Sequence, residues 1–326
     1  MAAMDHQLGV KAESTYGTAV TVDRFYEFNS ETIEDSFGRV EGDPLRGGSQ
    51  GVLRSDRHTP YYAGASGSIQ MDVLSKGFGF WFGQMLGAIS TGTVTDSKYI
   101  HTATMGELYG DSFTCQVNRP LHPSGTNQAF TFEGGKITDW ELSNDVEGNL
   151  VLDLGTDFEQ ATTATGLATA SYPSGMENFT FVGGVITIGG SPYDITKFSV
   201  KGDNGLDTDR RQIRGNADKK EPTASRREIS WAIEADFDSL AQRNRAAAVV
   251  RATNVAAITA TWTAPTLIGV SSYPTVTVTI PAARFDEWKG SAEGTDAIKQ
   301  ELTGVGRFDG TNSAITIAYG SADSVA

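Results

Sequence analysis

The segment from Gly67 to Ile89, GSIQMDVLSKGFGFWFGQMLGAI, changes its hydrophobic period halfway along, and this limits the fold more than any other stretch of the chain. Ser68, Gln70 and Asp72 alternate with Ile69, Met71 and Val73, the pattern of a strand with one wet face. Leu74, Phe78, Trp81, Phe82, Met85, Leu86 and Ile89 then follow at helical spacing. The segment therefore predicts a strand running into one strongly apolar helix, with Leu74, Phe78, Trp81, Phe82 and Met85 as its core face. Gly79, Gly83 and Gly87 form an i, i+4 row on that helix. Each interior glycine costs about 1 kcal/mol of propensity relative to alanine, so the row predicts a second backbone packed close by. A membrane span needs about 20 largely apolar residues, and this run is shorter and carries Lys76. Gly77-Phe78-Gly79 starts like a dinucleotide loop, but Phe82 stands where its third glycine belongs. The helix reads as a lid on a sheet.

Elsewhere Thr, Val, Ser, Gly and aromatics recur in short alternating blocks without long charged helices, so the chain reads as mainly β. Its 326 residues suffice for one large β domain or two smaller ones. No Pro/Ser-rich linker divides it, which favours a single elaborated domain over 1–326. Residues 1–20 read as a surface arm and Val20 to Asp35 as a first long strand. Ser36 to Tyr62 has Gly, Pro, Asp and Ser punctuation and no sustained period; loops of this length are usually functional or disordered. Arg39, Arg46, Arg54 and Arg57 within it point to docking on an acidic neighbour, with a merely solvated loop as the alternative.

An internal similarity follows. Phe130 to Thr138 and Phe179 to Thr187 share the form FTFxGGxIT, read as strand, Gly-Gly hairpin turn and returning strand. Thr138 to Phe158 resembles Thr196 to Leu206 joined to Glu228 to Phe237, giving a duplicated β unit whose second copy carries the charged insertion Asp207 to Arg227. Asp238 to Thr253 reads as a helix capped by Asp238 or Ser239. Closing strands are expected at Ala256 to Trp262, Thr275 to Ile280, Ala297 to Phe308 and Ala314 to Tyr319.

Signs of chemistry are sparse. His6, His58, His101 and His122 fit no metal-ligand spacing, and Cys115, the only cysteine, has no local activating signal. Asp203 to Asp209 lacks the ligand order and distal Glu of an EF-hand. No P-loop, GxSxG or convincing carboxylate pair is present, so no enzymatic activity and no cofactor are expected. The formal charge of -14 argues against affinity for nucleic acid or anionic membrane. The start has no signal-peptide core, and a lone cysteine forms no intrachain disulfide, so folding in a cytoplasm is expected. One pattern remains: Asp139, Glu141, Ser143 and Asp145, then Asp153 and Asp157, then Glu228, Ser230, Glu234 and Asp236, each on one face of its strand. Such alternation describes any half-exposed sheet. Neighbouring acids nonetheless repel one another, and a face that accepts this cost fits a need for negative charge.

KAESTYGTAVTVDRFYEFNSETIED, SGSIQMDVLSKGFGFWFGQMLG, DWELSNDVEGNLVLDLGTDFE and EISWAIEADFDS, in this order, resemble the major tail (tail tube) protein of long-tailed bacteriophages. The resemblance implies a tail-tube-type β-sandwich or barrel that closes into hexameric rings, which stack into a hollow tube for genome delivery. Residues 36–62 would be the inter-ring loop, with Arg39, Arg46, Arg54 and Arg57 as contacts. Asp139, Glu141, Asp145, Asp153, Glu228, Glu234 and Asp236 would face an acidic lumen through which double-stranded DNA passes without specific binding. Residues 207–227 and about 261–281 would be surface elaborations. Tape measure and tail terminator or tail-tip proteins are implied partners, and the virion tail, assembled in the host cytoplasm, the location. The inner tube of a contractile tail or injection machine, or a surface β-sandwich adhesion module, are the alternative readings.

Overall fold

The computed structural model describes residues 6–42, 52–290 and 298–326. The chain opens with β1 (Gln7–Ala12) and β2 (Arg24–Tyr26), then β3 (Ser30–Glu31), β4 (Glu34–Glu41) and β5 (His58–Asp72). Helix α1 (Gly79–Leu86) leads into β6 (Gly87–Thr91), β7 (Tyr99–Met105), β8 (Phe113–Asn118) and the 17-residue β9 (Ala129–Asp145). There follow β10 (Val151–Phe158), β11 (Gln160–Thr162), β12 (Gly184–Ile188), β13 (Ser191–Pro192), β14 (Lys197–Asp203) and β15 (Glu228–Asp236). Short helices α2 (Ala241–Ala246) and α3 (Arg251–Asn254) precede β16 (Val255–Thr263), the 16-residue β17 (Thr275–Gly290), β18 (Lys299–Gly306) and β19 (Thr316–Ser321). The fold is mainly β, as expected.

Two long strands organise the rest. The first half of β9 pairs with β8 and β11, and its second half with β10 and β14. Likewise β17 pairs with β16 and β19 at its start and with β18 at its end. A front layer thus runs β5-β10-β9-β14-β15-β18-β17, and a back layer β12-β16-β17-β19-β7-β6, every pairing antiparallel. A side ribbon, β2-β1-β8, continues from β9. Alternation explains the core: Trp140, Leu142, Phe198, Val200, Trp231 and Ile233 of the front layer point inward, toward Ile258, Trp262, Val278 and Tyr319 of the back. Phe198 meets Trp262 with ring centroids 5.6 Å apart.

Helix α1 fills the remaining space. Phe78, Trp81, Phe82 and Met85 are fully buried; Trp81 packs on Tyr26 and Phe113 and Phe82 on Tyr319. The glycine row has separate causes. A Cβ on Gly79 would lie 2.8 Å from the Ala326 Cα, the close backbone approach expected, whereas Gly83 faces the Ile89 side chain. Gly87 ends the helix at φ 88°, a conformation that glycine adopts at little cost. Leu74 is buried but lies before the helix, bridging to Asn178, and Ile89 lies in β6.

Several local expectations change. The supposed N-terminal arm contains β1, with Leu8 and Val10 fully buried. Val20 to Asp35 is broken because it crosses a corner, pairing with β1 at Arg24–Tyr26 and with β5 at Ser30–Glu31. Phe37–Glu41 and His58–Tyr62 form a ladder that carries β4 and β5 outward, past a bulge between Ser36 and Phe37. Gly134-Gly135 makes no hairpin: β9 continues through it, and Gly134 at φ 69° packs against Glu159 and Tyr16 where the strand changes partners. In the second copy, Phe181–Gly183 is a 3-10 turn. The later halves of the similarity do form matching strand pairs, β9 with β10 and β14 with β15. Asp238 to Thr253 divides into α2 and α3 because Val250 is extended at φ -102°, ψ 121°, suiting a β-branched residue.

Candidate functional site: the front face and its projecting hairpin

On β15, Ile229, Trp231 and Ile233 turn inward, so Glu228, Ser230, Glu234 and Asp236 fall on the outer face. Strand register aligns this face into transverse rows. Glu141 lies opposite Asp153 on one side and Lys201 on the other, with Ser230 beyond. A second row contains Asp145, Lys197, Glu234 and Glu301. A third is acidic throughout: Asp139 opposite Asp203, and Asp203 opposite Glu228. The candidate acids Asp139, Glu141, Asp145, Asp153, Glu228, Glu234 and Asp236 therefore share one surface. Asp157 leaves it, because a bulge at Gly155/Thr156 turns its carboxylate inward to Lys219 at 2.6 Å.

The sequence reading missed the lysines. Lys201 pairs with Glu141 at 2.9 Å, Lys299 with Glu234 at 2.8 Å and Lys197 with Asp145 at 3.4 Å. The hydrogen bond from Lys299 holds the Glu234 carboxyl below its usual range. The alternation Lys197-Phe198-Ser199-Val200-Lys201 carried this signal. The result is a mixed lattice whose purely acidic end borders a groove of about 980 Å³, lined by Asp139, Asp203, Asp207 and Glu228 among others.

The hairpin formed by β4 and β5 extends beyond β10, whose pairing with β5 stops at Phe158↔Ala65. Phe37 and Val40 are 67% and 65% exposed. Arg54 pairs with Asp56 at 2.8 Å and draws its carboxyl down to about 2. Arg39 and Arg57 make no ion pair among the described residues; Arg46 lies outside them.

The segment 207–227 penetrates the structure at several points. Lys219 reaches buried Asp157, and Glu221 pairs with buried Lys136 at 2.6 Å. Arg211 donates to the Ala63 carbonyl and lies over the Tyr61 ring, fixing the hairpin base. Arg227 donates to the Met85, Leu86 and Gly106 carbonyls, and its Nε to Asn204 Oδ1. Its charge thus sits at the C-terminal end of α1, where the last carbonyls have no partners within the helix, and burial lowers its pKa. Residues 261–281 likewise supply core: Trp262, Val276, Val278 and Ile280 are at most 1% exposed. Only the connection between β16 and β17 lies outside the strands, where Asp96 accepts from the Val270 and Ser271 amides.

Among the described residues no group of three or more His, Cys, Asp or Glu could hold a metal ion. His101 is buried against Thr91 and the Asp323 carbonyl, and Cys115 is buried within β8. No helix among those residues is long and apolar enough to cross a membrane.

The described residues thus present a broad lattice of charges, a projecting arm and buried clamps. The family model for phage tail tube proteins matches residues 5–318, and the chain belongs to that family, as a structural component of the virion tail. No curated protein matches the sequence.

Proposed function

We propose that six copies close into a ring, that rings stack into the tail tube, and that the front face lines its channel. The observation that carries this reading is the shared outer surface of β10, β9, β14, β15 and β18, on which acids from five strands exceed the lysines that interleave them. DNA carries a charge about every 1.7 Å along its axis. A basic wall would bind and brake it, whereas this lattice repels it weakly while the lysines limit repulsion between subunits. Closure across subunits covers strand edges that would otherwise aggregate, and head-to-tail contacts form rings when their rotation closes. The chain meets DNA only in transit, and the tape measure and terminator or tip proteins would occupy the lumen and the tube ends.

Electron microscopy of the purified protein at rising concentration tests the assembly, with six-subunit rings or hollow tubes expected; a monomer that stays so with tail-tip complex added would overturn it. Reversing Glu234 and Asp236 to Lys tests the lumen. Tubes should form but eject DNA more slowly, and unchanged ejection would remove these residues from the channel wall.

A further inference from the structure

The corner where β17 crosses between the layers carries two weakly anchored helices. Strand β16 meets β17 only as far as Val255↔Arg284, and beyond that point α3 and α2 lie alongside Phe285 where a strand would otherwise continue. Helix α2 buries only Gln242, and α3 buries no residue. Helices of six and four residues are too short to be stable by propensity alone. Leu240, Val249 and Val250 around them are 57%, 99% and 58% exposed. Apolar side chains gathered on one surface mark a contact site more than the same residues scattered singly.

The register sets this corner against a particular border. One transverse row runs from Ser30 on β3 through Gln70, Glu141, Ser230 and Arg284 to Val255, the residue after α3. The Ser30 end is the free border of the front layer, since β3 and β4 pair with β5 and, among the described residues, with no strand beyond it. In a ring whose channel is lined by the front face, neighbouring copies meet across the strands. The free border of one copy then faces the α2 and α3 corner of the next at the same level.

The charges of the two segments are opposite throughout. Residues 240–254 include Arg243, Arg245 and Arg251 and no acid, while residues 27–35 include Glu27, Glu31, Glu34 and Asp35 and no base. Arg243, Arg251, Glu27 and Glu34 are exposed and make no ion pair among the described residues. The others are engaged within the chain: Arg245 lies over Phe285, Arg119 pairs with Glu31, and the Tyr62 hydroxyl donates to Asp35. Charges of the other sign flank both segments, Asp236 and Asp238 before α2 and Arg24 and Arg39 on either side of residues 27–35, which confines the match to the segments themselves.

We propose that α2 and α3 form the joint between neighbouring copies of one ring, seated on residues 27–35 of the next chain. Arg243 and Arg251 meet Glu27 and Glu34, and Val249 and Val250 are covered against half-buried Phe28. The contact links different surfaces of identical chains, and it closes once the rotation from copy to copy returns to the first. This assignment rests on the tube reading above.

Cysteine cross-linking tests it, since the native Cys115 is buried. The double variant Arg251→Cys with Glu34→Cys, assembled and oxidised, should give a covalent ladder that ends at six chains on a non-reducing gel, and each single variant should give none. Rings or tubes seen by microscopy without any ladder would overturn the joint and leave the tube reading intact. A ladder running past six would overturn it too, because the contact would then lie between rings. Failure of the unsubstituted chain to form rings or tubes under any condition would overturn the tube reading itself, and this proposal with it. Should the double variant not fold, charge exchange replaces it: Arg243→Glu with Arg251→Glu, and Glu27→Arg with Glu34→Arg, should each fail to form rings alone yet alternate in six-membered rings when mixed. Rings from either variant alone, or no recovery on mixing, overturn the pairing.

Discussion

The chain uses charge in two opposite settings. On the front face Lys201 and Glu141 are 58% and 32% exposed, whereas under segment 207–227 Lys219 and Asp157 are 8% and 7% exposed. Exposed pairs gain little net energy because water and salt screen them. Buried pairs have lost their hydration, so each partner depends on the other. The front face can thus change charge with small effect on folding. The buried pairs lack this freedom. They hold the insertion, the hairpin base and the bend of β9 in one arrangement.

The largest effect expected from this contrast is at Lys219. Lys219→Met leaves Asp157 buried and unpaired and should cost about 3–5 kcal/mol, read by denaturant unfolding, while the double variant with Asp157→Leu should recover most of that loss. If the single and double variants are equally unstable, the buried pair is not what clamps the insertion. Arg227→Met should come next, at about 1–3 kcal/mol, since it strips donors from the Met85 and Leu86 carbonyls at the end of α1 and from the Gly106 carbonyl after β7. Loss of tryptophan burial near Trp81 should accompany it in near-ultraviolet dichroism. Glu159 tests an intermediate setting. It is pushed up to about 7, chiefly by burial and then by Asp218 and its other acidic neighbours. The folded chain binds this proton more tightly than the unfolded chain, so its contribution to stability falls as pH rises from about 4.5 to 7. Glu159→Gln should flatten the thermal midpoint across that window; an unchanged slope would assign the effect elsewhere. Lys201→Met should change stability by less than about 1 kcal/mol, and a larger loss would end the distinction between the two settings.

Much of this was legible in the sequence. Inward and outward faces of β5, β9, β14 and β15 follow from period-2 alternation alone, and the apolar row of α1 from its helical spacing. Less legible was anything depending on a partner strand. The hairpin of β4 and β5 has no regular pattern because both its faces are largely exposed, so no burial selects an alternation. Gly134-Gly135 resembles a turn, yet the same freedom serves a bend beneath Glu159 and Tyr16. Segment 207–227 looks like a solvated insertion because Lys219, Glu221 and Arg227 are charged, and their burial depends on Asp157, Lys136 and the carbonyls of α1, all distant in sequence. The lysines of the front face were visible as residues, but their pairing with Glu141, Asp145 and Glu234 exists only in the register.

Because β9 and β17 each run through two sets of partners, neither layer can slide past the other without breaking ladders on both sides of a corner. The subunit is cross-braced by its own backbone. A load on one wall passes along covalent bonds into the next, so under shear each copy yields as a single rigid tile and bending of an assembly concentrates at the joints between copies.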